Sequence, residues 1–427
     1  MVSFPIIIDD IDDIEVINGS DQTTIELSSH FDDPFTTGLT ARFELYDNSL
    51  AGGVTEIVLF DQDTSGAPGT VTNFSNYVLD EDYVNTIIHR SMPGFVVQGG
   101  GFTVDGLADV LPNNAPDAVS LVPTDPPITN EFSSERSNVR GTIAMAKIGG
   151  DPDSATNEWF FNLGDNGINS GNPNNLDVQN GGFTVFGEVL SEEDFDVLEA
   201  IAALPIVDGR GFFEQGAFSD LPLIDFDQEN PVITGDENLV RYQNISLVQR
   251  EELTFEVVNN TNSILVDVSI DEGNLLLDYQ PGLLGTAEVT IRATNLVGEV
   301  IEDIFIVTVE DAPPTTSGID DIIVNEDEEP TIISLFDAFD DLEDNDSDLT
   351  YSIIDNTNAD LFSSLEIDDN SGELTLTYQP NSNGIANITV QAQDLSGQTI
   401  DTTFSTTVNS VNDAPNFTLG DNQTVPS

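Results

Sequence analysis

Alternating apolar and polar residues fill most of the second half of the chain and predict short β-strands. The stretch LLLDYQPGLLGTAEVTIRATNLVGEVIEDIFIVTV (275–309) matches LTLTYQPNSNGIANITVQAQDLSGQTIDTTFSTTV (374–408) at a constant offset of 99 residues. In both copies, Gly, Asn and Asp turns separate runs with a period of two, which is typical of strands that bury one face. Two such copies, each of about 90–100 residues, indicate two β-sandwiches.

The front of the second copy has a displaced counterpart. IDDIIVNEDEEPTIISLFDAFDD (319–341) precedes the second copy directly, whereas its match, IDDIEVINGSDQTTIELSSHFDD (11–33), lies far upstream of the first copy. We therefore expect one split sandwich, made of 11–33 plus 251–311, with residues 36–250 inserted in one of its loops. Such insertions are tolerated where the ends of the loop lie close together. The alternative is that 11–33 is only a leader of the inserted domain.

The repeats resemble bacterial cadherin-like (dystroglycan-type) surface domains. The resemblance rests on a Tyr-x-Pro…Gly…Ala-x-Asp-x-x-Gly pattern and on VNDAP (411–415), which looks like a linker between repeats. It implies immunoglobulin- or cadherin-like sandwiches, the second spanning 312–413, with 414–427 as the start of a truncated further repeat of a longer parent chain. It also implies a location outside the cell or on the surface of a bacterium.

The inserted stretch shows a different pattern, with two helices among β-like runs. Val71, Phe74 and Val78 share one helical face, and Thr70 is a candidate cap. Ser191 followed by Asp194 resembles a capping box for a second helix over 192–203. Strands are expected in the runs 41–48, 55–63, 141–148, 158–164 and 181–190.

Composition narrows the function classes. The chain has 427 residues with 9 Lys+Arg against 78 Asp+Glu, a formal net charge of −69, so clustered cations for nucleic-acid binding are absent from the sequence. Zero Cys excludes disulfides and thiolate chemistry. No run of 18 apolar residues occurs, so we expect no membrane insertion within this chain. A hydrophobic content of 38% is enough for packed cores.

One apolar stretch nevertheless carries a His-Arg pair. The ordered set that includes it resembles the cyclophilin family of peptidyl-prolyl cis-trans isomerases: Asn73-Phe74, Tyr83, HRSMPGFVVQGGGF (89–102), NEF (130–132), RGTIAMA (140–146), EWFF (158–161), Leu176-Asp177 and FTVFGEVL (183–190). The resemblance spans about 200 residues. It implies a mainly β fold in which an eight-stranded antiparallel barrel with two helices accompanies the two sandwiches.

The resemblance also implies a chemistry and roles for residues. Rotation about an X-Pro bond faces a barrier of about 18–20 kcal/mol, and a cation that hydrogen-bonds the freed nitrogen lone pair lowers it without covalent bonding. The implied catalytic residues are Arg90, Phe95, Gln98 and Phe160. The implied substrate-binding residues are His89, Val96, Ala146, Lys147, Glu158, Leu176 and Phe183. No cofactor is expected, and the partners would be proline-containing peptides or unfolded proteins.

Three positions depart from the family pattern, among them Asn175, which falls near a frequent aromatic position. Glu158 stands where the family generally has Gln, and its carboxylate could pair with Arg90 or Lys147. Phe183 replaces a common groove His. His89 is expected to be structural or peripheral, because the reaction needs no general base.

The acidic loop FDDLEDNDSDLTY (339–351) offers closely spaced oxygen ligands for Ca²⁺. The candidate ligands are Asp340, Asp341, Asp344 and Asp346. Three functions therefore stay open from the sequence. The first is an isomerase that speeds protein folding, and the second is a catalytically weak proline-peptide-binding module in a calcium-dependent surface or adhesion protein. In the third, the calcium-stiffened repeats carry the function.

Overall fold

The computed structural model describes residues 4–111, 114–167, 175–226 and 232–412. The predicted further repeat at 414–427 lies outside these residues. The chain separates into two compact units, one of Met1–Ile11, Glu26–Val258 and Ile291–Asp303, the other of Asp12–Ile25, Asn259–Thr290 and Ile304–Ser427. The fold is mainly β, as expected.

The strands of the leading segment are β1 Ile6–Ile7, β2 Ile14–Ile17, β3 Thr23–Glu26 and β4 Phe31–Asp32. Those of the inserted stretch are β5 Leu39–Leu45, β6 Val54–Leu59, β7 Arg90–Met92, β8 Val96–Gly99, β9 Phe102–Val104, β10 Val119–Leu121, β11 Thr142–Met145, β12 Trp159–Asn162, β13 Val185–Val189, β14 Ile206–Val207, β15 Leu221–Pro222 and β16 Tyr242–Gln249. Its helices are α1 Pro68–Leu79, α2 Leu107–Val110, α3 Glu192–Ala202 and α4 Arg210–Phe213.

Eight of these strands form one curled antiparallel sheet, in the order β16-β5-β6-β13-β11-β12-β8-β7. Its two outer strands, β7 and β16, approach each other just before they begin. Ile87 and Arg241 form an isolated bridge there, and Ile88 N donates to Val240 O at 2.9 Å. The sheet therefore curls into the eight-stranded barrel that the resemblance implies.

Alternation along the strands fills the barrel with aromatic rings. Phe43 of β5 is fully buried, and its ring lies 5.3 Å from that of Trp159, 5.5 Å from Phe161 and 5.6 Å from Tyr242. Offset and edge-on contacts of this kind stabilise a core beyond the area they bury. Trp159 and Phe161 both belong to this core.

The two longer helices have different starts. Ser191 caps α3, since its side chain accepts from Asp194 N, and the predicted capping is confirmed. The predicted Thr70 cap is wrong, because α1 begins at Pro68 and Thr70 lies inside it. The carboxylate of Glu131 instead accepts from the N–H groups of Gly69 and Thr70, so a distant side chain satisfies the free donors of the first turn.

The two ends of the inserted stretch lie side by side. Leu39 at the start of β5 is paired with Gln249 at the end of β16, and Arg250 N donates to Gly38 O at 3.0 Å. The chain therefore enters and leaves the barrel at the same place, which is the geometry that an insertion in a loop requires.

The strands after the barrel are β17 Leu253–Asn260, β18 Val266–Asp271, β19 Asn274–Tyr279, β20 Gly285–Asn295, β21 Val300–Glu310, β22 Thr315–Thr316, β23 Ile322–Asn325, β24 Thr331–Ser334, β25 Phe339–Asp340, β26 Thr350–Asn356, β27 Phe362–Asp368, β28 Glu373–Tyr378, β29 Gly384–Gln393 and β30 Thr399–Asn409. In the second copy they form two sheets, β23-β30-β29-β26 and β24-β28-β27. Their inner faces bury an apolar core that includes Leu374, Ile388 and Phe404.

Strand β2 of the leading segment pairs in parallel with β21, in the register that β23 adopts with β30. Val16 is opposite Val309, and Val324 is opposite Val408. Strand β23 lies 308 residues after β2, and β30 lies 99 residues after β21. The leading segment and the first copy therefore make the pairing that the second copy makes within one continuous stretch.

Side-chain contacts repeat with the same two offsets. The hydroxyls of Thr23 and Tyr279 lie 2.6 Å apart, as do those of Thr331 and Tyr378. A bond from a backbone N–H to a carboxylate repeats as well. Asp13 Oδ1 accepts from Ile306 N at 2.7 Å, and its counterpart Asp321 Oδ1 accepts from Ser405 N at 2.7 Å.

No helix in the described ranges is long and apolar enough to cross a membrane.

The paired hydroxyls give a matched test of the two copies. We expect Thr23→Val and Thr331→Val each to lower the free energy of unfolding by about 1 kcal/mol, because each removes one hydrogen bond to a tyrosine hydroxyl. Calorimetry measures the loss. Trp159 is the chain's only Trp, so its fluorescence reports the barrel and serves as the control. If Thr331→Val destabilises and Thr23→Val does not, residues 11–33 do not complete the first copy.

Candidate active site

Three adjacent strands place the main predicted residues in one row. Arg90 of β7 is opposite Gln98 of β8, and Gln98 is opposite Phe160 of β12. Because paired residues on neighbouring strands point to the same face, these three side chains stand together. The residues between them, such as Val97 and Phe161, point to the other face and belong to the barrel core.

The row borders a cavity of about 230 Å³ on the outer face of the sheet. Nine of the eleven residues predicted for catalysis and substrate binding line it: Arg90, Phe95, Val96, Gln98, Ala146, Lys147, Phe160, Leu176 and Phe183. The other two, His89 and Glu158, lie beside this lining. Most of the wall is apolar, with charged and amide groups contributed by Arg90, Gln98 and Lys147.

The hairpin turn between β7 and β8 carries Phe95 to the cavity. The carbonyl of Phe95 accepts from Leu163 N and from Asn166 Nδ2, both at 2.9 Å. These bonds fix the turn against the loop after β12. Leu176 belongs to the same connection between β12 and β13, and its N–H donates to Asn166 O at 2.7 Å.

Arg90 stands at the rim with its side chain one-third exposed and its guanidinium held at three nitrogens. Nη1 donates to Gln98 Oε1 at 3.2 Å, and Nη2 donates to Met92 Sδ at 2.8 Å. Nε lies 4.0 Å from Asp220 Oδ2. The charge is therefore fixed in position and still accessible from the cavity.

Sequence reasoning missed Met92 and Asp220. Met92 lies two residues after Arg90 on the same strand, so the period of two places both on one face, and this signal was available. Asp220 follows β14 and α4 in a segment with no motif, and Ser219 Oγ donates to its carboxylate at 2.7 Å. Only the fold brings Asp220 to Arg90.

His89 is buried behind the rim rather than exposed in the groove. Its exposed fraction is 1%, and its ring packs edge-on against Phe102 at 5.0 Å. Burial, assisted by the charge of Arg90, lowers the pKa of His89 to about 3. The imidazole is therefore neutral near pH 7 and acts as an apolar support for the strand that carries Arg90.

Lys147 and Glu158 do not form the ion pairs that the sequence suggested. Lys147 Nζ donates to Gly182 O at 2.5 Å, Asn180 O at 3.0 Å and Asn130 Oδ1 at 3.2 Å, so its ammonium braces a loop. Burial lowers its pKa. Glu158 Oε2 instead accepts from Gln98 Nε2 at 2.8 Å. Both charged groups are therefore hydrogen-bonded to neutral groups.

The glycine run after Gln98 makes room behind the row. Gly100 has φ +81°, a conformation that side chains disfavour, and a Cβ there would lie 2.6 Å from Asn157 O. A Cβ on Gly101 would lie 2.5 Å from Glu158 Oε1. The run therefore allows the backbone to pass Trp159 closely and leaves space for the Glu158 carboxylate.

The predicted calcium ligands are not assembled. Among the described residues, no group of three or more His, Asp or Glu side chains is arranged to hold a metal ion. Asp340 Oδ1 accepts from Asp341 N at 3.1 Å, and Asp344 Oδ2 accepts from Leu395 N at 3.0 Å, so these carboxylates satisfy backbone groups along the loop. Asp340, Asp341, Asp344 and Asp346 therefore do not form the predicted four-residue site.

One acidic pair in the second copy is nevertheless unusual. In the first copy, Asn295 Nδ2 donates to Asp33 Oδ2 at 3.0 Å. The offsets of 308 and 99 place Asp341 and Asp394 at these positions in the second copy. Asp341 Oδ2 and Asp394 Oδ2 are both buried and have no hydrogen-bond partner. At the position that corresponds to the Asn295 amide, the second copy therefore has a carboxylate.

The family model described as "Cyclophilin type peptidyl-prolyl cis-trans isomerase/CLD" matches residues 46–215. The chain is similar to a peptidyl-prolyl cis-trans isomerase of Acinetobacter baylyi, with 37% identity over 36% of this chain and 69% of the relative. It is also similar to peptidyl-prolyl cis-trans isomerase B of Escherichia coli, with 35% identity over 36% of this chain and 80% of the relative. A solved cyclophilin-type isomerase of Cryptosporidium parvum aligns with 49% of this chain and 98% of its own, at 18% identity and a TM-score of 0.30.

The burial of His89 predicts an unusual titration. Because its pKa is about 3 in the folded chain, its ring resonances should not shift between pH 8 and pH 5 in an NMR titration. The unfolded state binds a proton near pH 6.5, so His89 should lower the free energy of unfolding progressively as the pH falls below that value. His89→Gln assigns the resonance and should weaken this pH dependence. A ring that titrates between pH 6 and 7 would contradict the burial.

Proposed function

Since the chain belongs to the cyclophilin-type peptidyl-prolyl cis-trans isomerase family, we propose that it catalyses rotation about X-Pro bonds at the cavity between Arg90 and Phe160. The observation that carries this assignment is a fixed, accessible guanidinium at the rim of an apolar cavity of about 230 Å³. Its substrates are proline-containing peptides and unfolded proteins, and the activity accelerates their folding.

The mechanism requires no covalent step. In the planar amide the prolyl nitrogen lone pair is conjugated, and this conjugation sets the barrier of about 18–20 kcal/mol. Twisting frees the lone pair, so an N–H of Arg90 can donate to it in the twisted state only. An interaction that forms only there lowers the barrier without tightening ground-state binding.

The cavity supplies the other half of the effect. The rings of Phe95 and Phe160, with Val96 and Leu176, hold the pyrrolidine ring and exclude water, which strengthens the hydrogen bond from Arg90. Gln98 fixes Arg90 and offers an amide to the substrate backbone. His89 is buried and neutral, so it neither binds a proton nor gives one up during the reaction.

A protease-coupled isomerase assay with Arg90→Ala tests this function. We expect kcat/KM to fall about 100- to 1,000-fold, the usual effect of removing one donor to a transition state. Arg140→Ala is the matched control, because Arg140 forms an exposed ion pair with Glu192 and does not line the cavity. A folded wild-type chain without activity would contradict the isomerase and leave the barrel as a proline-peptide-binding module.

We also propose that residues 11–33 and 251–311 form one cadherin-like sandwich, with the barrel inserted in it. The support is the parallel register shared by β2–β21 and β23–β30, the repeated tyrosine hydroxyl contacts, and the pairing of Leu39 with Gln249. Residues 312–413 then form the second sandwich. With its cadherin-like resemblance and strong negative charge, such a chain belongs outside a bacterial cell or on its surface.

Finally, we propose that a divalent cation such as Ca²⁺ stabilises the second sandwich at Asp341 and Asp394. The Oδ2 atoms of both carboxylates are buried without a hydrogen-bond partner, and the repeat places them where Asp33 and Asn295 meet in the first copy. Two charges at these positions would repel each other, and a cation coordinated by oxygen would relieve this repulsion. Glu343 belongs to the same environment, since burial and the charges of Asp341 and Asp311 raise its pKa to about 7.

The first copy supplies the test of this cation. Asp394→Asn recreates the Asp33–Asn295 pair in the second copy. It should raise the melting temperature of the second sandwich in EDTA, by about 1–3 kcal/mol in free energy of unfolding. It should also remove any shift in melting temperature on adding Ca²⁺. The converse variant, Asn295→Asp, should lower the stability of the first copy in EDTA. Calorimetry checks both. A wild-type chain whose melting is identical in EDTA and in Ca²⁺ would contradict the proposal.

A further inference from the structure

A hydrogen-bonded chain links the reactive guanidinium to a carboxylate behind the cavity. Arg90 Nη1 donates to Gln98 Oε1 at 3.2 Å, and Gln98 Nε2 donates to Glu158 Oε2 at 2.8 Å. A charged carboxylate only accepts hydrogen bonds. Glu158 therefore holds the amide of Gln98 in one orientation, with its nitrogen toward Glu158 and its oxygen toward Arg90.

The surroundings of Glu158 are built to keep the carboxylate there without an ion pair. Gly101 leaves the space that the carboxylate fills, since a Cβ would come within 2.5 Å of Glu158 Oε1. The nearest basic ring nitrogen, His89 Nε2, lies 3.7 Å from Glu158 Oε2 and belongs to a neutral imidazole. The hydrogen bond from Gln98 is thus the contact through which the charge of Glu158 acts.

We propose that Glu158 is a positioning residue that orients Arg90 through Gln98 only while its carboxylate is charged, so that acid switches the isomerase to a less active state. This inference rests on the proposed function. A protonated Glu158 carries an O–H donor, and the acceptor that Gln98 offers is Oε1, the atom that Arg90 uses. Either the proton competes with Arg90 for this oxygen, or the amide turns and presents an N–H to the guanidinium.

Within this cluster, Glu158 is the group whose charge we expect to change between neutral and acid pH. Burial raises its pKa above the ordinary value of 4.5, and the hydrogen bond from Gln98 opposes the shift. His89 on β7 is neutral, and Tyr83 is fully buried with its pKa raised well above 10, so it is neutral as well. Asp220 faces Arg90 Nε at 4.0 Å, and Arg90 itself stays charged.

The experiment is the pH profile of kcat/KM for the whole chain, with wild type, Glu158→Gln and Asp220→Asn measured side by side. We expect wild-type kcat/KM to fall about threefold to tenfold toward acid, the range set by one hydrogen bond, with a midpoint above pH 4.5. For Glu158→Gln, kcat/KM should not change with pH and should stay close to the low value that wild type reaches in acid. A neutral amide can donate or accept, so it no longer fixes the orientation of Gln98. Asp220→Asn should keep the acid fall.

The outcomes separate the two proposals. An active wild type with a flat profile, or an acid fall that Asp220→Asn removes and Glu158→Gln retains, overturns the role of Glu158 and leaves the isomerase intact. A wild type without activity at any pH overturns both. Trp159 fluorescence at each pH confirms that the barrel stays folded. The ¹³C carboxyl resonance of Glu158 gives a readout independent of turnover, and it should titrate at the midpoint of the kinetic profile.

Discussion

The whole candidate site depends on one constraint, that successive side chains of a β-strand point to opposite faces. In β8 and β12 both faces carry apolar side chains. Val97, Trp159 and Phe161 fill the barrel, and Val96 and Phe160 line the outer cavity. The rigid, close-packed inner face thus fixes the outer face, since any shift of a core ring moves the neighbouring cavity residue. The guanidinium of Arg90 needs such a support, because it must reach the prolyl nitrogen, whose lone pair is available only in the twisted amide.

The site could be predicted from the sequence as far as a specific motif extends. The HRSMPGFVVQGGGF stretch and EWFF supply Arg90, Phe95, Gln98 and Phe160, and hydrogen bonding across β7, β8 and β12 places them in one row. The partners of Glu158 and Lys147 could not be predicted in this way. They depend on which loop oxygen or amide lies within 3 Å, and charge alone suggested ion pairs that the chain does not form. Asp220 was unpredictable for the same reason, since only the path of its segment brings it to Arg90.

The repeats illustrate the opposite case, in which the fold could be predicted better than the chemistry. Internal similarity at two constant offsets is a strong signal, because it comes from many positions at once, and the register of β2 with β21 agrees with it. The acidic loop gave a weaker signal. Its carboxylates were counted along the chain, whereas binding depends on where each oxygen points, and Asp340 and Asp344 turn to backbone N–H groups. Among the described residues, the buried carboxylate oxygens without a hydrogen-bond partner belong to Asp341 and Glu343 in the loop and to Asp394, which is far from them in sequence.

The side-by-side ends of the barrel have a mechanical consequence. Because Leu39 and Gln249 are neighbours, the chain enters and leaves the barrel at one place. On the split arrangement proposed above, the barrel is then a side branch of the chain rather than a link in series with the sandwiches. On that arrangement, tension along the chain would be carried by the strands that flank the loop, and little of it would reach the cavity. An isomerase attached in this way would keep its active site intact while the chain that carries it is pulled.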